Sequence, residues 1–328
     1  LSRISALTVD DLRGPIVVQA YDEPGTWNWL LRQKGVKKEW NGSDQIGRPV
    51  QLEKAPQGGS IAPFGVVDMT VPNVETRAQF TPKMYAVGLP LSIQELQRMS
   101  GELAAADYME HRTRDCVTKM MDLLDGTNGI HGDGTALTTD WVGLKSLLAT
   151  DQTSGTWGSV SRANSRWRAK VTDNGQVTGD VLANLRTTAT LLEDGRDQAE
   201  VVITNRLGRN IYESKLTATL ETDPLVIGSR GRSAMGDAGI GHLAYRGIPM
   251  LVDVNFSLIV GSNTAWHFLN TGGGNYLNVF VHPEADMRFL GFNESEDQLL
   301  LKNKLIWHGV FSCWRPERQG TVEDGPAS

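Results

Sequence analysis

Residues 91–126 read LSIQELQRMSGELAAADYMEHRTRDCVTKMMDLLDG, and this stretch decides the architecture. Apolar side chains recur at Ile93, Leu96, Met99, Leu103, Ala106, Met109, Cys116, Met120 and Leu123/Leu124, close to the helical period. Ser92 suits the N-cap, Glu95 completes a capping box, and Leu91 with Leu96 forms a hydrophobic staple. Glu110 with Arg114, and Asp115 with Lys119, are i,i+4 pairs in the favourable order. Gly126 is the stop. The spacing predicts one helix over 93–125, about 33 residues and roughly 50 Å long, with Gly101 as a place to bend.

Working outward, residues 298–314 (QLLLKNKLIWHGVFSCW) match that length in extended form. Leu299, Leu301, Leu305, Trp307, Phe311 and Cys313 would share one face, and Lys302, Lys304, Ile306, His308 and Val310 the other. About 16 residues give a strand of roughly 53 Å, against an average strand of about 5–6 residues. Residues 287–292 are expected to be its hairpin partner, turning at 293–297. A compact globule of this length has a radius of gyration of only about 20 Å. A helix and a strand this long therefore predict a slab or wedge made to touch neighbours.

The flanking regions differ in kind. Residues 1–40 carry turn signals and one short amphipathic candidate near Trp27, and read as an arm. Residues 41–91 are rich in Gly and Pro, with extended pieces around 50–52, 64–67 and 84–91. Pro63, Pro72, Pro82 and Pro90 argue against a central sheet position for most of this segment. So long a stretch with strand pieces and little core makes sense if its partner is another chain. Residues 178–285 form an ordinary α/β region. A helix capped by Thr178 carries Val181, Leu182, Leu185, Ala189 and Leu192, and ends at Gly195. A buried strand follows over 200–204, then a helix from Asn205 through Tyr212, then strands near 243–245, 249–254, 265–269 and 276–281.

Bulk composition excludes several classes. The 328 residues carry a net charge of −6, and the sequence pI is about 5.6, which disfavours a dedicated nucleic-acid binder. The longest apolar runs fall well short of the roughly 20 residues of a membrane helix. Two cysteines, Cys116 and Cys313, make no disulfide framework or metal cluster. None of the six histidines pairs with another His or a Cys at ligand spacing, so neither metal nor cofactor is expected. Residues 236–241 (GDAGIG) lack the Lys-Ser/Thr of a phosphate loop and read as a surface loop. The chain is not expected to be an enzyme.

One stretch has the composition of a nucleic-acid contact: Arg162, Arg166, Arg168 and Lys170 surround Trp167. The plainer reading is an exposed segment that pairs with a neighbour. Arg230 and Arg232 form a similar basic loop tip. Of the nine tryptophans, Trp27, Trp29, Trp40, Trp141 and Trp157 lie in poorly periodic segments. They serve either between subunits or as packing under loops. The candidate inter-subunit contacts are thus Trp40 at the root of the extended segment, Phe64, Phe80 and Lys83 within it, Arg162, Arg166 and Trp167 in the basic stretch, and Arg230 and Arg232.

The order of parts carries a resemblance. Residues 85–92 (YAVGLPLS) run into the long helix; 153–168 (TSGTWGSVSRANSRWR), 201–216, 245–249 (YRGIP) with Val252-Asp253, and 266–270 follow; 287 to Trp307 and Gln319-Gly320 close the series. Together they resemble tailed-phage major capsid proteins of the Hong Kong 97-type fold. The resemblance implies an α+β fold in four parts. These are an N-terminal arm (1–40), an extended loop (41–91), a peripheral domain (92–177 and 286–320) with spine helix 93–125, and an axial domain (178–285), ahead of a C-terminal tail (321–328). It also implies a shell protein assembled in the host cytoplasm and resident in the virion. Its partners would be copies of itself, with portal and scaffolding or decoration proteins, around double-stranded DNA bound without specificity. An encapsulin-type nanocompartment is the alternative within the fold, and a nucleic-acid-binding protein the alternative outside it. Some relatives join a loop Lys to a neighbour's Asn; no motif here fixes such a pair among Lys54, Lys83, Asn293 and Asn303.

Overall fold

The computed structural model describes residues 25–52, 75–94, 102–126, 129–135, 139–173, 181–195, 197–222, 244–253, 255–256, 264–294 and 300–323. Helix α1 (Thr26–Arg32) and strands β1 (Lys37–Glu39), β2 (Ile46–Gln51), β3 (Glu75–Phe80) and β4 (Lys83–Ser92) precede the long helix α2 (Glu102–Asp125). Next come α3 (Leu144–Leu147), β5 (Thr156–Trp157), β6 (Val160–Ser161), β7 (Lys170–Asp173), α4 (Val181–Leu192), β8 (Val201–Thr204) and α5 (Arg206–Thr222). The remainder holds β9 (Ala244–Tyr245), β10 (Ile248–Val252), β11 (Ala265–Leu269), β12 (Leu277–Val281), β13 (Arg288–Phe289), β14 (Asn293–Glu294), β15 (Leu300–Cys313) and β16 (Gly320–Glu323).

β15 is the hub of the first sheet. Its 14 residues span about 46 Å. One edge takes β12, β13 and β14, all antiparallel, and β1 adds in parallel beyond β12. The other edge pairs with β4 over ten positions, from Leu300 opposite Ser92 to Gly309 opposite Lys83. Burial alternates along β15 up to His308 and then becomes continuous, as expected where a strand passes from a one-sided to a two-sided environment. α2 covers one face of this sheet. Met109, Cys116, Val117, Met120, Met121 and Leu124 form its buried stripe and cluster with Tyr85, Leu89, Leu91, Leu301, Leu305 and Trp307. Each such burial contributes about 1.5–3 kcal/mol relative to exposure.

The second sheet has the order β7-β16-β11-β8-β10-β9. Val181, Leu185, Ala189 and Leu192 of α4 pack on it with Tyr212 of α5, against Val202, Trp266, Phe268 and Val322. Asn205 caps α5, its side-chain oxygen accepting the Gly208 N–H at 2.7 Å.

Several expectations need correction. Residues 25–40 are not a free arm: Trp27 and Leu30 are buried in the main core, and β1 extends the first sheet. The extended piece around 84–91 finds its partner in β15 of its own chain, where Pro90 is tolerated because β4 is an edge strand. Residues 320–323 are no tail. Their strand lies between β7 and β11 with every residue buried, and its polar Thr321 bonds to His267. Sheet membership also cuts across the expected boundaries, since β12 joins the first sheet while β7 and β16 join the second. The long helix is described over Glu102–Asp125, 24 residues or about 36 Å; the capping position Glu95 lies outside the described residues.

Candidate assembly interface

Two surfaces stand out among the described residues. The first is the hairpin of β2 and β3, antiparallel from Ile46 opposite Phe80 to Gln51 opposite Glu75. Its root is fixed in the body. Phe80 is buried, with its ring 5.1 Å from that of Trp314 and 5.5 Å from that of Trp157. The Gln79 N–H donates to the Gly158 carbonyl at 2.8 Å. Gly158 needs its left-handed backbone, and a Cβ there would strike the Phe80 ring. Beyond this root, Arg48, Pro49, Gln51, Glu75 and Arg77 are exposed. Residues 53–74, which join the two strands, lie outside the described residues.

The second surface is the face of the first sheet turned away from α2. Met84, Ala86, Gly88 and Pro90 of β4 are exposed there, opposite His308, Ile306, Lys304 and Lys302 of β15. Met84 is 57% exposed, and Leu290, whose N–H bonds to the Lys304 carbonyl, is 55% exposed. Small side chains at Ala86 and Gly88 make the strip flat, and Lys302, Lys304 and Arg288 give it a positive border. The other edge of β4 has no strand partner among the described residues.

The candidates named from sequence scatter across these surfaces and the core. Trp40 is half-buried at the hairpin's approach, edge-on to His282 and His308 at 5.5 and 5.0 Å. Burial and the neighbouring His282 lower the His308 pKa. Lys83 is half-buried at the start of β4, and Arg166 is exposed. Phe64, Arg230 and Arg232 lie outside the described residues, as does the 236–241 loop.

Phe80, Arg162 and Trp167 are corrected: each is covered by its own chain. Trp167 is 1% exposed, and its indole N–H donates to the Trp157 carbonyl at 2.9 Å. Arg162 is buried and donates to the Ser146 carbonyl, while Arg168 donates to the carbonyls of Arg162 and Ala163. The buried ring is not open to stacking, and the Arg162 and Arg168 guanidiniums are engaged by loop carbonyls, which leaves Arg166 as the exposed arginine of this stretch. Asn303 is likewise occupied: it is buried, and its side-chain oxygen accepts from the backbone of Gly291 and Lys304. The open sheet face escaped the sequence reading because the extended run over 84–91 was expected to pair with another chain, and its pairing with β15 is what sets the exposed face. Its only signal was the alternation of Tyr85, Val87, Leu89 and Leu91.

No family model and no curated protein matches this chain. Solved structures do. It is similar to a chain of the cyanophage A-1(L) capsid asymmetric unit, at TM-score 0.65 and 14% identity, covering 93% of this chain and 94% of that chain. It is similar to the capsid of a native GTA particle, at TM-score 0.58 and 13% identity over 90% of both chains. It is also similar to the SrpI encapsulin complex of Synechococcus elongatus, at TM-score 0.54 and 10% identity, covering 90% of this chain and 86% of that one. The fold is that of phage capsid proteins, the Hong Kong 97-type fold that the resemblance implied.

Proposed function

We propose that this chain is the major shell subunit of a tailed bacteriophage, a structural protein that associates into pentamers and hexamers and tiles an icosahedral container for double-stranded DNA. The observation that carries the reading is the likeness to a phage capsid protein over nearly the whole of both chains. In this reading the first sheet with α2 is the peripheral body of the subunit. The second sheet with α4 and α5 is the axial part, which closes the rings.

The assembly mechanism follows from the two surfaces. The hairpin is rooted by Phe80 in its own subunit and carries residues 53–74, of which Ile61, Phe64, Val66, Val67, Met69 and Val71 are apolar. Such a segment gains by burial, and a neighbour's open sheet face offers Met84, Ile306 and Leu290. The contact is heterologous, so it closes a ring when the rotation permits. Many modest contacts then make the shell strong without covalent chemistry. Portal and scaffolding or decoration proteins would be further partners, and the virion its location.

A nanocompartment shell is the second reading, favoured by the likeness to the encapsulin. The contents of the particles separate the two. Nuclease-protected DNA is expected for the phage shell, and a packed enzyme for the compartment. Sedimentation velocity of the purified full chain tests both together. Fast boundaries of many-subunit particles are expected; a single 35.9 kDa species at every concentration would contradict a shell of either kind.

A further inference from the structure

Asp125, His131 and Asp253 come from three parts of the chain and meet in one buried cluster, their donor atoms within 4.8 Å of one another. Asp125 is the last residue of α2, His131 lies in the turn after it, and Asp253 follows β10. All three are buried. The fourth participant is α1. Its N-cap is Gly25, which has no side chain to satisfy the first N–H groups. The two carboxylates do this from outside. Thr26 gives Asp253 Oδ2 its backbone N–H at 2.7 Å and also its hydroxyl. The Trp27 N–H donates to Asp125 Oδ1 at 2.8 Å.

The two carboxylates are unequally supported. Asp253 Oδ2 also lies 3.1 Å from His131 Nε2, and Asp253 Oδ1 accepts the Asn255 N–H at 2.8 Å. Asp253 Oδ2 thus serves Thr26 twice and His131 once. Burial opposes the Asp253 charge, yet the bonds from His131 and Thr26 outweigh it and hold that carboxyl at about 2. Among the described residues, Asp125 has only the Trp27 bond and a longer one, 3.3 Å, from the Asn255 amide. It also stands at the C-terminal end of a helix, where the carbonyl dipoles oppose a negative charge. Burial, then the neighbouring Asp253 charge, push it up to about 6. Among the described residues, the other ionisable groups nearby are Asp122, one turn back on α2, and His267 of β11. Asp122 lines a small cavity with Asp125, Asn28 and Asn255, and His267 faces His131 across Phe256. Burial lowers His267 well below the ordinary range, so it stays neutral. α1 brings only backbone and the Thr26 hydroxyl.

We propose that this cluster is a proton-operated latch that fastens α1 to the end of α2 and to Asp253, just past β10. While Asp125 is a neutral acid, the site holds one buried carboxylate charge, that of Asp253, hydrogen-bonded by Thr26, His131 and Asn255. Once Asp125 ionises, a second buried charge faces Asp253 and the grip on α1 weakens. Detached, Asp125 would titrate near 3.8, so the folded state binds the extra proton. The contribution is therefore full below that value and is lost as pH rises through about 6. The latch stands apart from the shell reading, since it is a property of the single chain.

Hydrogen–deuterium exchange of the full chain tests it. Protection of the Thr26 and Trp27 amides, corrected for intrinsic exchange, is expected to fall about tenfold from pH 5 to pH 8 in the wild type. The isosteric variant Asp125→Asn should show protection that is level with pH. Asp253→Asn, which removes the acceptor for Thr26, should lower protection at every pH. A level wild-type profile overturns the latch without any variant. So does a pH dependence that persists in Asp125→Asn, or full protection in Asp253→Asn.

Discussion

The Trp307 indole lies 4.8 Å from that of Trp141 and 5.6 Å from that of Trp27, with the Tyr85 ring at 6.2 Å. Four rings from four distant segments thus meet where β15 passes beneath α1, and each is buried. Tyr85 is tied in further, its hydroxyl oxygen accepting the Trp141 N–H at 3.1 Å. Trp307→Ala should cost about 3–5 kcal/mol in denaturant unfolding, because the surrounding strands cannot collapse into the space. A loss below about 1 kcal/mol would mean that the rings do not pack as described. The same scale explains a limit of sequence reading. Tryptophans in irregular segments fit an interface or a core equally well, since only the neighbours decide. Trp27, Trp141 and Trp157 went to the core, and Trp40 stayed half-buried. The latch was illegible for a related reason: Thr26, Asp125, His131 and Asp253 share no local spacing, and a search for closely spaced ligands passes over them.

At the scale of elements, periodicity served well where one face is apolar and long. α2 buries the predicted Met109, Cys116, Met120 and Leu124, and Glu110 pairs with Arg114 at 2.9 Å. β15, α4 and the Asn205 cap were readable for the same reason. The extended run over 84–91 was legible as well, but its partner was not, because the ten-position pairing is with a strand far along the chain. β16 was missed because Gly-Thr-Val-Glu is polar, and its burial comes from β7 and β11 on either side. Met109→Pro tests the role of α2. It removes a helix hydrogen bond on the buried stripe at a cost of about 3 kcal/mol or more, and should leave the chain unfolded. Glu110→Ala, on the exposed side, should cost under about 1 kcal/mol. Circular dichroism melts distinguish these outcomes; a folded Met109→Pro chain would show that α2 does not organise the first sheet.

At the scale of the whole molecule, two sheets share one chain, and a rooted hairpin leads away from them. An excision meant to remove only the intermolecular part must spare β3, because Ala78 and Phe80 belong to the core. Replacing residues 53–74 with a short Gly-Ser linker should therefore leave a folded chain with wild-type melting behaviour that no longer assembles. Shells formed by that variant would assign assembly to other surfaces. The most direct measurement is cryo-electron microscopy of the assembled full chain. The account predicts a closed wall in which the β2–β3 hairpin of each subunit lies across the open sheet face of the next, at Met84, Ala86 and Ile306. A solitary chain whose residues 53–74 turn back and cover its own sheet face would contradict it.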